Sequence, residues 1–328
     1  MPKKDLISIT DLSPKEIESL LMAAAKLKKQ AKNPQALTGK TIALIFEKPS
    51  TRTLISFASG IQALGGFPLV LQSEALQWKR GETVPDMART MSRYIHAVVI
   101  RARKHEDVET FARYSSIPVI NGLTENEHPC QVLADLLTLW ERHGRKMAAL
   151  RKLRIVFLGD SNNVSYSWML LAGMLGLNFV LACPAGYEPK GGLFEEAEGL
   201  AKGSGGRLEV VHDAAQAAQG ADVLYTDVWT SMGQESEESR RRQVFQPFQL
   251  NDALVAQAKP SAVILHCLPA RRGEEITDTV MEGSHSIVFD QAENRLHIQK
   301  AILLSLIGRR PSPHPSPRGR GRKGEGRR

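Results

Sequence analysis

Four short stretches concentrate the groups that could do chemistry. Residues 50–53 read Ser-Thr-Arg-Thr, three hydroxyls and one guanidinium in consecutive positions after a β-rich run. If they open a helix, its unsatisfied N–H groups and dipole make an anion site, and arginine adds paired donors that match phosphate. Ser and Thr are also the ordinary helix caps, so the stretch alone fits a phosphate cradle or a plain cap. No GxxxxGK[ST] loop is present, so nucleotide hydrolysis is not implied. His128-Pro129-Cys130-Gln131 opens a second helix and puts a histidine and a glutamine on one face, suited to a carbonyl or amide. Asp227-Val228-Trp229-Thr230-Ser231-Met232-Gly233 places a strand-end carboxylate before a loop. A carboxylate there needs a cation or a full set of hydrogen bonds, and an amino-group ligand is one candidate. His266-Cys267-Leu268-Pro269 ends an apolar strand, where Cys267 is either a ligand contact or simply a buried thiol.

The elements that must carry these clusters alternate. Ser13-Pro14-Lys15-Glu16 is a capping box with proline at the first helical position. Strands are expected at 41–46, 68–72, 97–102 and 118–122, then, after a helix over 129–143, at 154–160, 179–184, 208–213, 223–227, 262–269 and 286–291. A final apolar helix is expected over 293–306. β-rich runs separated by helix-compatible stretches imply βαβ units. The expected fold is therefore α/β, with two similar-sized domains, each a parallel sheet flanked by helices, and a site in the cleft between them. Ligands of such sheets bind beyond the carboxyl ends of strands, where nearly every polar cluster falls: residues 50–53, 227–233 and 266–269, together with Arg101 and the GDSNN stretch at 159–163.

Composition sets the outer limits. At 328 residues the chain is long enough for two domains, and 42% hydrophobic with 24% charged residues is an ordinary globular balance. No apolar run approaches the ~18 residues of a membrane span. The first thirty residues lack a signal peptide's apolar region, and three widely separated cysteines show no CxxC spacing, so a cytoplasmic setting is expected. The formal charge of +8 is concentrated in residues 309–328, where eight Arg or Lys and one Glu leave only +1 for the body. That segment has no aliphatic or aromatic side chain and reads as a disordered, solvated tail. As a nucleic-acid arm it lacks aromatic residues to stack bases, so a nucleic-acid partner is not expected.

Taken together, FEKPSTRT, HPCQ, GDSNNV, DVWTSMGQE, HCLP and AENR occur in the order and spacing of the ornithine carbamoyltransferases, and the resemblance covers about residues 5–308. STRT and HPCQ are shared with the wider carbamoyltransferase superfamily; SMG with HCLP is similar to the ornithine type. The resemblance implies a carbamoyl-phosphate-binding domain over 1–144, an ornithine-binding domain over 145–292 and a C-terminal helix, 293–308, packing back on the first. It implies carbamoyl phosphate contacts at Ser50, Thr51, Arg52, Thr53, Gln77, Arg101, His128, Gln131, Cys267, Leu268 and Arg295, with Gln77 reaching a neighbouring subunit's site. It implies ornithine contacts at Asn163, Asp227, Ser231 and Met232, and catalytic roles for Arg101, His128, Asp227 and Cys267. The implied reaction moves the carbamoyl group to the δ-amine of L-ornithine, giving L-citrulline and phosphate in arginine metabolism, in a homotrimer or a multiple of trimers. Neither a metal nor a cofactor is implied.

Two positions depart from the family pattern. Most members follow STRT with arginine and carry glutamate in the next SFE, where this chain has Leu54 and Ala58. The two sites are four apart on one helix, the spacing of an ion pair, and losing both charges costs less than losing one. An apolar contact is expected to replace a supporting pair, with the phosphate contacts retained.

Overall fold

The computed structural model describes residues 4–72, 81–230 and 235–308. Gln77, Ser231, Met232 and the basic tail lie outside the described residues. Helix α1 (Pro14–Lys29) opens on the expected capping box: the Glu16 amide donates to Ser13 Oγ at 3.3 Å and the Ser13 amide to the Glu16 carboxylate at 2.9 Å. Strands β1 (Thr41–Phe46), β2 (Phe67–Gln72), β3 (Ala97–Arg101) and β4 (Val119–Leu123) alternate with helices α2 (Thr51–Ala63), α3 (Val84–Met91) and α4 (His105–Tyr114). They pair in parallel in the order β2-β1-β3-β4. Helices α5 (Pro129–Arg142) and α6 (Met147–Leu150) lead into the second sheet.

That sheet holds β5 (Arg154–Leu158), β6 (Asn178–Ala182), β7 (Arg207–Val211), β8 (Val223–Thr226) and β9 (Val263–His266), again parallel, in the order β7-β6-β5-β8-β9. Its connections carry α7 (Asn163–Leu175), α8 (Leu193–Ser204), α9 (Ala214–Ala218), α10 (Glu238–Phe245), α11 (Asp252–Val255) and α12 (Asp278–Met281). Central strands such as TIALIF and VLYT are apolar without alternation because helices cover both faces of the sheet. In each sheet the order reverses once, between β1 and β3 and between β5 and β8. Such a reversal splays the connections apart and leaves a crevice at the strand carboxyl ends. Residues 47–53 and Arg101 flank the first reversal; residues 159–163 and Asp227 flank the second.

One expected element is corrected. Residues 286–291 do not form a strand: Ser286 makes a single bridge to Ile264 of β9, and helix α13 runs from Val288 to Ile307, five residues earlier than read from sequence. Val288, Gln291, Asn294, Arg295 and Ile298 share its buried face, and three of these five are polar. That hides the helical period from a hydrophobicity reading. α13 packs against α1, α2 and α5, and Ile298, Ile302 and Leu303 join Leu21, Phe57 and Leu133 in one buried cluster.

Candidate active site

α2 begins at Ser50, whose Oγ accepts from the Thr53 amide at 3.3 Å and donates to Thr53 Oγ1 at 2.9 Å. The Arg295 guanidinium, arriving from α13, donates to Thr53 Oγ1 at 2.7 Å and to Gln131 Oε1, and lies 3.5 Å from His128 Nε2. Arg52, Arg101 and Arg295 thus converge on a cavity of about 200 Å³ that is also lined by Ser50, Thr53, His128 and Gln131. Burial lowers the pKa of all three guanidiniums, and mutual repulsion adds to it at Arg101 and Arg295, while each keeps its charge. Arg101 falls to about 10, chiefly through burial and then through Arg295 and Arg52; His128 falls well below its usual value for the same reasons. His128 is therefore neutral, and since a guanidinium can only donate, Nε2 is the acceptor and Nδ1 carries the proton. Arg101 Nε, Arg295 Nε and His128 Nδ1 are buried donors without a partner among the described residues. Three cationic side chains and unmatched donors around one cavity suit an anion carrying a polar head.

The opposite wall is acidic. Asp227, at the end of β8, is 8% exposed; its Oδ2 accepts from Asn162 Nδ2 at 2.7 Å and its Oδ1 from the Val228 amide at 2.8 Å. Asn162 cannot turn over, because its Oδ1 caps α7 by accepting from the Val164 and Ser165 amides at 3.0 Å. Burial raises the Asp227 carboxyl, with His266 offsetting part of the effect. Asn163, the other asparagine of the pair, lines the cavity and donates to the Thr124 carbonyl at 2.6 Å. Burial and then Asp227 raise the Cys267 thiol well above its usual value, so it is a protonated neighbour of that carboxylate rather than a thiolate nucleophile. Leu268 takes a left-handed φ of 61°, an uncommon conformation for a branched side chain, held as its amide donates to His266 Nδ1 at 2.9 Å. Ligand atoms of Asp227, His266 and Cys267 lie within 4.8 Å of one another. They do not fit a metal, since His266 Nε2 is also engaged, by Glu275 at 3.0 Å, and the thiol keeps its proton.

Thr51 is the one described sequence-predicted residue outside the cavity lining; its side chain is exposed at the first turn of α2. Lys48 and Arg271 line the cavity without having been singled out, although both stand within or next to the quoted motifs FEKPSTRT and HCLP. A clamp was missed altogether. Arg241 of α10 is 3% exposed, pairs with Asp160, donates to the Trp229 carbonyl at 2.6 Å and lies 5.0 Å and 5.1 Å over the rings of Tyr187 and Phe245. It ties Trp229, two residues beyond Asp227, to the loop that leads through Asp160 into α7. No local sequence signal marks it, because its partners lie up to 81 positions away.

Leu54 and Ala58 are both half-buried against the main core. Restoring the charges with Leu54→Arg and Ala58→Glu is expected to leave the KM for carbamoyl phosphate within about threefold, since neither position lines the cavity and an i,i+4 pair is worth only ~0.2–0.5 kcal/mol. A fall by orders of magnitude in steady-state assays would mean that the missing pair takes part in phosphate binding.

Two family profiles match the chain: the aspartate/ornithine carbamoyltransferase carbamoyl-P binding domain over residues 4–141, and the Asp/Orn binding domain of the same family over 151–306. The ornithine carbamoyltransferase of Thermococcus kodakarensis is 50% identical over 308 residues, 93% of this chain and 96% of that one. Among solved structures, ornithine carbamoyltransferase from Pyrococcus furiosus superposes with a TM-score of 0.90 at 47% identity, over 94% of this chain and 99% of that one. An acetylornithine transcarbamylase complexed with acetylcitrulline also superposes, with a TM-score of 0.83 at 34% identity, over 93% and 99% of the two chains. The two-sheet architecture is thus common to proteins named for different acceptor amines.

Proposed function

Because this chain belongs to the aspartate/ornithine carbamoyltransferase family, we infer that it transfers the carbamoyl group of carbamoyl phosphate to the δ-amine of L-ornithine, releasing L-citrulline and phosphate. The observation that carries this reading is the polarity of the cavity: three guanidiniums and a neutral imidazole on one wall, a buried carboxylate on the other. One wall suits a phosphate ester with a planar carbamoyl head, the other an amino acid's ammonium group.

In this reading Ser50, Thr53, Arg52 and Arg295, with the amides at Thr51 and beyond, hold the phosphate. Arg101 and His128 donate to the carbamoyl oxygen, and Gln131 and Leu268 face the carbamoyl amide. Asn163 and Asp227 bind the α-carboxylate and α-ammonium of ornithine, with Ser231 and Met232 completing that set and Gln77 completing a neighbour's site in a homotrimer. The 1–144 and 145–292 division with the returning 293–308 helix belongs to the same proposal, as does a cytoplasmic location. Three free cysteines fit that location, and no described helix is long and apolar enough to cross a membrane.

Catalysis follows from placement. The attacking amine must be neutral, whereas a lysine-like amine has a pKa of ~10.4 in water. A cation-rich, desolvated cavity favours the neutral form. Its lone pair attacks the carbamoyl carbon, the oxyanion forms against Arg101 and His128, and phosphate departs against Arg52 and Arg295. Of the two groups beside the amine's path, the Asp227 carboxylate is the one able to take up its proton, and the Cys267 thiol can relay a proton only by giving its own to that carboxylate.

Carbamoyl phosphate with a panel of ornithine, acetylornithine, putrescine and aspartate tests the reading directly. Carbamoylated product is expected with ornithine at a kcat/KM at least ~100-fold above the others, since a site built for a polar group rejects analogues that leave its buried groups unpaired. Turnover with another amine and none with ornithine would overturn it.

A further inference from the structure

Gln131 has two ends, and the protein leaves it no choice of which one faces the cavity. Its Nε2 donates to Asp135 Oδ1 at 2.7 Å one helical turn along α5, and its Oε1 accepts from Arg295. An ionised carboxylate can only accept and a guanidinium can only donate, so this orientation follows from the neighbours' chemistry alone. Asp135 is completely buried and does not itself line the cavity. Its Oδ1 also accepts from Gln291 Nε2 at 2.7 Å, and its Oδ2 from Trp168 Nε1 and Tyr225 Oη, both at 3.1 Å. Four donors from α5, α7, β8 and α13 thus converge on one carboxylate, enough to keep it an acceptor inside the core. The other end of Gln291 accepts from the His266 amide at 2.9 Å, one residue before Cys267.

We propose that Asp135 is a positioning residue for the transfer reaction. It fixes the Gln131 amide so that a carbonyl oxygen, never an NH2, is presented to the cavity, which selects a ligand head that donates there: the NH2 of a carbamoyl group. Through Gln291 the same carboxylate ties Gln131 to the backbone of the Cys267 loop. A head that presents only acceptors at that point, such as the carboxylate of phosphonoacetate, meets an oxygen. The proposal rests on the carbamoyl-transfer reading, and wild-type turnover tests that reading separately.

Gln131→Glu keeps the oxygen facing the cavity and sets a second carboxylate against Asp135. It is expected to raise the KM for carbamoyl phosphate by ~100-fold at neutral pH, the cost of a buried acceptor facing another acceptor. Lowering the pH protonates the pair, and a carboxylic O–H then replaces the lost N–H, so the ratio of mutant to wild-type KM should fall steadily with pH. Arg295, His128 and Tyr225 also face this pair, from α13, the α5 N-terminus and β8, and are common to both proteins; Asp135 itself, raised to about 6 by burial, titrates in wild type too and weakens its hold on Gln131 there, which moves the ratio in the same direction. Adding Asp135→Asn supplies the missing donor from the other side; because the same NH2 then also meets Gln291 Nε2, which shares Oδ1 with Gln131, Gln131→Glu/Asp135→Asn should recover part of the loss, at least ~3-fold in KM over Gln131→Glu at neutral pH. A pH-independent ratio, or a double variant no better than the single, would overturn the proposal while leaving carbamoyl transfer by wild type intact. Should the double variant fail to fold, the pH ratio of Gln131→Glu alone decides.

Discussion

Arg101→Met abolishes most turnover and makes the unliganded protein harder to melt. Arg101 closes the end of β3, is 8% exposed, and has a buried Nε without a partner among the described residues. In the proposed reaction it meets the developing oxyanion, and removing one such donor typically costs ~10²–10³ in kcat. Loss of phosphate contact adds to this, so kcat/KM for carbamoyl phosphate is expected to fall by at least ~10³. The sign for stability is opposite. Its charge is pushed down to about 10 by burial, Arg295 and Arg52. A cation with a depressed folded pKa carries a cost that is fully present below that pKa, and here amounts to about 2–4 kcal/mol at neutral pH. Relieving part of it should raise the melting temperature of the free protein by roughly 2–4 °C per kcal/mol. Calorimetry without ligand, beside steady-state kinetics, checks both halves. A lower melting temperature would show that Arg101 supports the fold rather than opposing it.

Asp227→Asn separates the two substrates. Asp227 is held by Asn162 and the Val228 amide and makes no hydrogen bond to the guanidiniums among the described residues. Its loss should lower kcat/KM for ornithine by ~10³, because the ammonium of the substrate would be buried without a counter-charge. The affinity for carbamoyl phosphate should change by less than about threefold, which equilibrium binding measures directly. Wild type should show a matching signature. Binding ornithine needs the carboxylate, and burial raises the Asp227 pKa above the ordinary range. The acid limb of kcat/KM for ornithine is therefore expected at a higher pH than an unperturbed aspartate gives, and to vanish in Asp227→Asn.

Much of this was legible before any coordinates because it is local. A capping box spans four residues, and TIALIF is bounded by its own β-branched run, so α1 and β1 fall where the sequence places them. Clusters at strand ends were legible because parallel sheets leave polar residues little else to do there. What escaped depends on distance or on polarity inside the core. The start of α13 escapes a sequence reading because Gln291, Asn294 and Arg295 are buried yet polar, and each has a defining partner over 150 positions away. Asp135 sits in an apolar helix where nothing distinguishes it from a solvated aspartate until Trp168 and Tyr225 arrive. Asn162 and Asn163 are indistinguishable by type and adjacent in sequence; only the capping geometry of α7 shows that one holds Asp227 and the other faces the cavity.

The packing of α13 against α1, α2 and α5 sets an order of events during synthesis. Helices α1, α2 and α5 emerge from the ribosome well before residues 288–307 exist, so their shared apolar face stays bare while the whole second sheet is being made. Domains generally fold as units as they appear, and exposed apolar surface invites association in the meantime. Arg295 arrives with the helix that covers that face. A nascent chain therefore acquires its third guanidinium and the seal on its first core in the same step, and cannot capture a phosphorylated metabolite in its finished cradle until both sheets have been translated.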